Sequence, residues 1–157
     1  MKKTVTLLLL AAVTLFAVSC NKTSTKSAAI GDYMIVGHAG GFVAINSPYF
    51  LLTGTGLSED TMQYPYAQVP ADLSGFHFTY RLPAARYDTV KAVLTSIPGE
   101  LLGKSGQDIG LICPDYGYDD VRASINGIVY KWKFECDQSA SSAEVQAFVN
   151  KVRADFY

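Results

Sequence analysis

The run Asp115-Tyr116-Gly117-Tyr118-Asp119-Asp120 holds the densest set of chemically useful side chains in the sequence. Three carboxylates and two tyrosines offer oxygen donors and aromatic faces together. Oxygen donors suit calcium, but the ligand spacing and closing glutamate of an EF-hand loop are missing. Tyrosines beside carboxylates can also stack on and hydrogen-bond a sugar, or give a protein partner an aromatic contact. A solvated turn is the plainer reading. Asp115, Tyr116, Tyr118, Asp119 and Asp120 thus form a candidate binding loop. Tyr64-Pro65-Tyr66 is a second aromatic candidate, whose tyrosines would otherwise pack on a sheet edge.

The residues of hydrolysis are sparser. His38 and His77 are the two histidines, and neither a His-x-x-x-His nor a Cys-x-x-Cys spacing occurs, so neither a metal nor a cofactor is implied. Ser105 stands between Gly103 and Gly106, but Gln107 occupies the place of the second glycine in a nucleophile elbow. Gly37 to Gly41 leads into an apolar run rather than a helix N-terminus, and so reads as a turn and not a phosphate cradle. Cys113 is followed by Pro114-Asp115, with no histidine nearby to activate a thiolate. A hydrolase would have to assemble His38 or His77 with carboxylates distant in sequence.

What must position these residues begins with an address. Lys2 and Lys3 precede an apolar run from Val5 to Val18, which ends at the small residues Ala17-Val18-Ser19-Cys20. Charge, short apolar core and small-residue cut site make a secretory signal. Its 14 apolar-run residues fall short of the ~20 that an α-helix needs to cross a bilayer. The segment resembles the lipobox of bacterial lipoproteins, with Ala17 where Leu is favoured. That resemblance implies a lipidated Cys20 as the first mature residue, with the membrane as partner through its acyl chains. Asn21, rather than aspartate, at the next position implies sorting to the outer membrane, periplasmic or surface face open. The remainder resembles small bacterial lipoproteins with a C-terminal hairpin and helix, a likeness that names no activity. Asp60-Thr61-Met62 and Asp88-Thr89-Val90 resemble the Asp-Ser/Thr-apolar motif of envelope O-glycosylation.

The organisation is therefore residues 1–19 as signal, 20–29 as lipidated cysteine and polar tether, and 30–157 as one globular domain. Without the signal, 11 basic residues face 14 acidic ones (13 less Lys2 and Lys3), a formal charge of −3. Such a balance gives no footprint for nucleic acid. Two cysteines then remain, Cys113 and Cys136, an even number that an oxidising envelope favours as a disulfide, with buried free thiols as the alternative.

Short β-rich runs at Tyr33 to Val36, Phe42 to Ile45, Tyr49 to Thr53 and Leu57 to Tyr64, separated by Gly, Asn and Pro, predict an antiparallel meander. Phe76, Phe78 and Tyr80 alternate with polar residues as in a half-buried strand. Tyr87, Val90, Val93, Leu94 and Ile97 share a helical face, stopped by Pro98-Gly99. Gln107 to Cys113 predicts a strand, and Val121 to Ile125 with Ile128 to Cys136 a hairpin across Asn126-Gly127. Ser141 and Glu144 have capping-box spacing before the stripe Val145, Phe148, Val149, Val152, Phe156. The expectation is an α+β domain, an antiparallel sheet packed by two helices. Functionally, it is a non-enzymatic, lipid-anchored envelope protein binding a protein or glycan; the alternative is the small hydrolase.

Overall fold

The computed structural model describes residues 31–41, 47–62, 64 and 68–157. The segments expected as signal and tether, with Cys20, the Phe42 to Ile45 run and Pro65-Tyr66, lie outside the described residues. Seven strands form one sheet: β1 (Tyr33–Ala39), β2 (Phe50–Thr53), β3 (Gly56–Glu59), β4 (Tyr80–Arg81), β5 (Asp108–Ile109), β6 (Tyr118–Ile125) and β7 (Ile128–Phe134). Their spatial order is β4-β3-β2-β1-β6-β7-β5, antiparallel except for β5 beside β7. With the α-helices α1 (Ala84–Val90), α2 (Gly99–Leu102) and α3 (Ala143–Phe156) they make an α+β architecture.

β1 is central, and its alternation divides the molecule. Met34 and Val36 point to one face, where α1, α2 and α3 bury Val90, Leu101, Val145 and Val149 against Leu52, Val121, Trp132 and Phe134. Tyr33 and Ile35 point to the other, where they meet Tyr49 and Phe76, with Leu73 and Phe78 at the margin. Strand side chains alternate, so a strand buried on both sides is apolar throughout. β6 follows the same rule with different chemistry, burying Asp119, Asp120, Arg122 and Ser124 along with Val121 and Ala123. At its far end Asn126 and Gly127, both at positive φ, carry the chain back into β7.

Several elements differ from expectation. The stretch expected as one helix from Pro83 to Ile97 breaks after Val90 into a 3-10 turn (Lys91–Val93), and a third helix, α2, starts after Pro98. The hydroxyls of Thr89, Thr95 and Ser96 each donate to a carbonyl three residues back, competing with helical bonds. The strand through Phe76 shrinks to Tyr80–Arg81, although Phe76 and Phe78 are still stacked inward. Of Gln107 to Cys113, only Asp108–Ile109 forms a strand, parallel to β7; Gly110 then turns at φ 100°, and Leu111 makes an isolated antiparallel bridge with Asp137. α3 is capped by Ser142, which accepts from the Val145 amide, and not by Ser141, whose hydroxyl is bonded to Gln138. The run after Leu57 ends at Glu59, where Asp60 bends the chain by accepting the Met62 amide at 2.7 Å.

A candidate binding groove beside a buried ion pair

β6 starts at Tyr118, so two neighbouring carboxylates point to opposite faces of the sheet. Asp120 shares its face with Arg122 two residues on, and the guanidinium holds it bidentately: Nε–Oδ1 is 3.1 Å and Nη2–Oδ2 2.6 Å. Both side chains are almost fully buried. A fork of this kind satisfies the planar geometry of both groups. Tyr49 donates its hydroxyl to Asp120 Oδ2 at 3.2 Å, and the Arg122 guanidinium lies 5.2 Å from the Phe76 ring centre. Burial, then the Asp120 charge, pushes the Tyr49 hydroxyl far above its ordinary range. It is a fixed donor, not an acid.

Arg122 also anchors the loop that covers this face, donating Nη1–H to the Pro70 carbonyl. Lys131, on β7 directly opposite Arg122, donates to the Ala71 carbonyl. A second anchor is Asp60, 2 % exposed, which accepts from the Met62 amide, the Tyr64 hydroxyl at 2.6 Å and the His77 amide at 2.7 Å. From the other side the turn at Ser105 and Gly106 is fastened to β7: Gly106 N–H reaches the Lys131 carbonyl at 2.7 Å, and the Lys131 amide reaches Ser105 Oγ at 3.1 Å.

Between the cover and this turn, two adjoining grooves remain open. One, about 320 Å³, runs over Tyr118, Asp120, Arg122, Lys131 and Lys133. The other, about 410 Å³, continues over Tyr33, Ile35, Leu73 and Val129. They meet at Ala71, Gly106, Arg122 and Lys131. These volumes suit a small organic ligand or one segment of a longer one.

On the opposite face Asp119, with its side chain 4 % exposed, forms a second polar node. His38 Nδ1 lies 3.0 Å from its Oδ1 and Arg153 Nε 2.8 Å from its Oδ2. Arg153, from α3, further donates to the carbonyls of Glu135 and Cys136. His38 Nε2 lies 2.8 Å from the Tyr116 carbonyl. Both ring nitrogens thus face acceptors, and only the imidazolium can donate to both. The Asp119 hydrogen bond accordingly raises the pKa of His38, with burial opposing and the Tyr116 carbonyl reinforcing. A proton acceptor for catalysis would need a free nitrogen, and here each is engaged. His77 is exposed.

The node holds the turn at 113–117 in place together with Cys113 and Cys136, which form a disulfide with Cα atoms 5.9 Å apart. Such a separation is ordinary for a bridge. Gly117 sits at φ 70°, and a Cβ there would lie 2.4 Å from the Ala39 carbonyl oxygen and 2.5 Å from that of Gly40. Only glycine fits. Asp115 and Tyr116 are exposed on this turn, Tyr116 by 66 %.

The five residues of the sequence-derived loop are therefore not brought together. Tyr118 and Asp120 line the first groove, Asp119 faces α3, and Asp115 and Tyr116 project from the turn. Sequence reasoning passed over Arg122, Lys131 and Lys133; their period-two spacing on paired strands was the available signal. Among the described residues, no group of three or more His, Cys, Asp or Glu is placed to hold a metal ion. Nor is any described helix long and apolar enough to cross a membrane. No known protein-family model, curated protein or solved structure matches this chain.

Proposed function

We propose that this chain is a lipid-anchored protein of the bacterial envelope whose domain binds a ligand and does not transform it. The paired grooves over Arg122 and Lys131, opposite the helix-covered face, carry the binding half of this reading. Their floor is a rigid sheet and their walls are anchored by charge-assisted bonds, so the space is preorganised. The anchoring half rests on the lipobox-like run ending at Cys20, which implies attachment through acyl chains, and on Asn21 after it, which favours the outer membrane.

The hydrolase reading has one favourable observation, the His38–Asp119 pair. For His38 to act as a base, Nε2 would have to leave the Tyr116 carbonyl and lose its proton. The binding reading needs no such rearrangement.

Two measurements on the full-length chain test the proposal. Intact mass of membrane-extracted protein is expected to show a chain starting at Cys20 with acyl groups, absent from Cys20→Ala. Fractionated envelope extract is expected to raise the melting temperature of wild type but not of Tyr118→Ala or Ala71→Trp, both at the groove. An unacylated product overturns the anchor; equal shifts in all three proteins overturn the groove.

A further inference from the structure

The cross-strand register sets Arg122 of β6 directly opposite Lys131 of β7 on the same face of the sheet. Like charges so placed repel. Asp120 does little to relieve this at Lys131, since both of its oxygens are engaged by Arg122. Asp72, on the groove wall, lies within electrostatic range of Lys131, but its Oδ1 is turned back on the Ser74 amide and hydroxyl, at 3.0 and 2.6 Å. Among the described residues, the hydrogen-bond partner of the Lys131 ammonium is the Ala71 carbonyl, which uses one of its three N–H groups. One strand residue further along the same side of β7 stands Lys133, whose closest carboxylate oxygen is 3.7 Å away on Asp108. Three cations thus line one groove floor: Asp120 pairs with Arg122 and Asp108 with Lys133, while Lys131 has no carboxylate within ion-pair distance among the described residues.

The groove continues in the other direction over Tyr33, Ile35, Leu73 and Val129, and Val129 is 50 % exposed. A row of apolar side chains ending at the Lys131 ammonium, which has no carboxylate bonded to it, is a complementary mould for one chemical type.

We infer that the groove binds an amphipathic organic acid. Its carboxylate lies at Lys131, between Arg122 and Lys133, and its apolar body lies along Ile35, Leu73 and Val129. This inference rests on the groove being the binding site and adds the class of ligand. The acid supplies the negative charge that the Arg122–Lys131 juxtaposition lacks, and the apolar body removes Val129 and Leu73 from water.

The test is calorimetric titration of the full-length chain in phospholipid nanodiscs with 4-phenylbutyrate, its amide and the corresponding amine, empty nanodiscs being subtracted. The acid is expected to bind best, the amide more weakly and the amine weakest. Lys131→Gln should weaken the acid roughly five- to ten-fold and leave the amide unchanged, as removal of a charge-assisted hydrogen bond implies. Val129→Asn should weaken acid and amide alike, and Lys151→Gln, on the helix of the opposite face, neither. If the amide binds as tightly as the acid, yet Val129→Asn weakens both, the acid inference falls and the groove stands. If neither Lys131→Gln nor Val129→Asn changes binding, both fall. If none of the three compounds binds while groove variants still abolish the extract-induced melting shift, only the acid inference is overturned.

Discussion

The two faces of the sheet are built from the same strands and finished in different ways. The helix face is closed by side chains spaced for helical packing: Val145, Phe148, Val149 and Val152 of α3 lie over Val121, Trp132 and Phe134. The loop face has a smaller aromatic cluster around Tyr49 and Phe76, and its cover is held by polar anchors at Asp60, Arg122 and Lys131. A helix brings a continuous apolar stripe to a sheet and excludes water. An irregular loop cannot, because its backbone groups need partners, so charged side chains reach up to hold it. The space left between those anchors is the groove. The larger apolar core lies on one face and the open groove on the other.

The sharpest way to break this comparison is to remove one large side chain from each face. Trp132 is 1 % exposed, and its indole N–H donates to the Leu101 carbonyl at 2.8 Å, tying α2 to the sheet. Trp132→Ala is expected to cost about 3–5 kcal/mol in urea unfolding. Phe78, half-buried under the loop, should cost roughly 1.5 kcal/mol when changed to Ala. Equal losses would mean that both faces share the stability.

A second test separates the ion pair from the apolar packing around it. Arg122→Met strands a buried carboxylate and frees the Pro70 carbonyl, with an expected loss of about 3 kcal/mol or more. Adding Asp120→Asn removes the uncompensated charge while leaving an acceptor for Tyr49, so the double variant should recover much of that loss. Both are read from urea midpoints at neutral pH. A double variant no more stable than the single one would show that the loop anchor, rather than the buried charge, dominates.

The difference between the faces also governs what could be read from sequence. The α3 stripe was legible because helical period is a local property, independent of what it packs against. Its cap was displaced by one residue because two serines compete and Gln138 takes the hydroxyl of Ser141. Cys113 and Cys136 were legible as the even remainder once Cys20 was set aside. β6, by contrast, starts three residues before its first apolar residue, Val121, because Asp119 and Asp120 are buried with cationic partners. Reading those aspartates as a solvated loop followed from their polarity. Their burial depends on Arg122, Arg153 and His38, and two of those three are supplied by other elements of the chain. Period two applied from Tyr118 onward separates Asp119 from Asp120, but only after the strand is known to begin there.

The smallest expected effect concerns the His38 node and turns on pH. His38 carries a raised pKa in the folded protein, chiefly through its bond to Asp119, so the folded state binds the proton more tightly than the unfolded chain does. The stabilisation is therefore fully present below the unfolded histidine value of about 6.5 and is lost as pH rises through the higher folded value. Asp119 faces the ring from β6, Arg153 from α3 opposes the proton, and the Tyr157 ring stands edge-on at 6.2 Å. Neutral imidazole retains a single N–H and must give up either Asp119 or the Tyr116 carbonyl. Giving up the carbonyl loosens the turn that the disulfide and Gly117 also hold, so the loss is partial. His38→Gln should be less stable than wild type by about 1 kcal/mol near pH 6, and the gap should shrink towards pH 9. Urea unfolding of both proteins across that range measures it. A gap that stays constant with pH would mean that His38 acts through packing or a neutral tautomer, and that the turn bearing Tyr116 is held by the covalent bridge and the glycine alone.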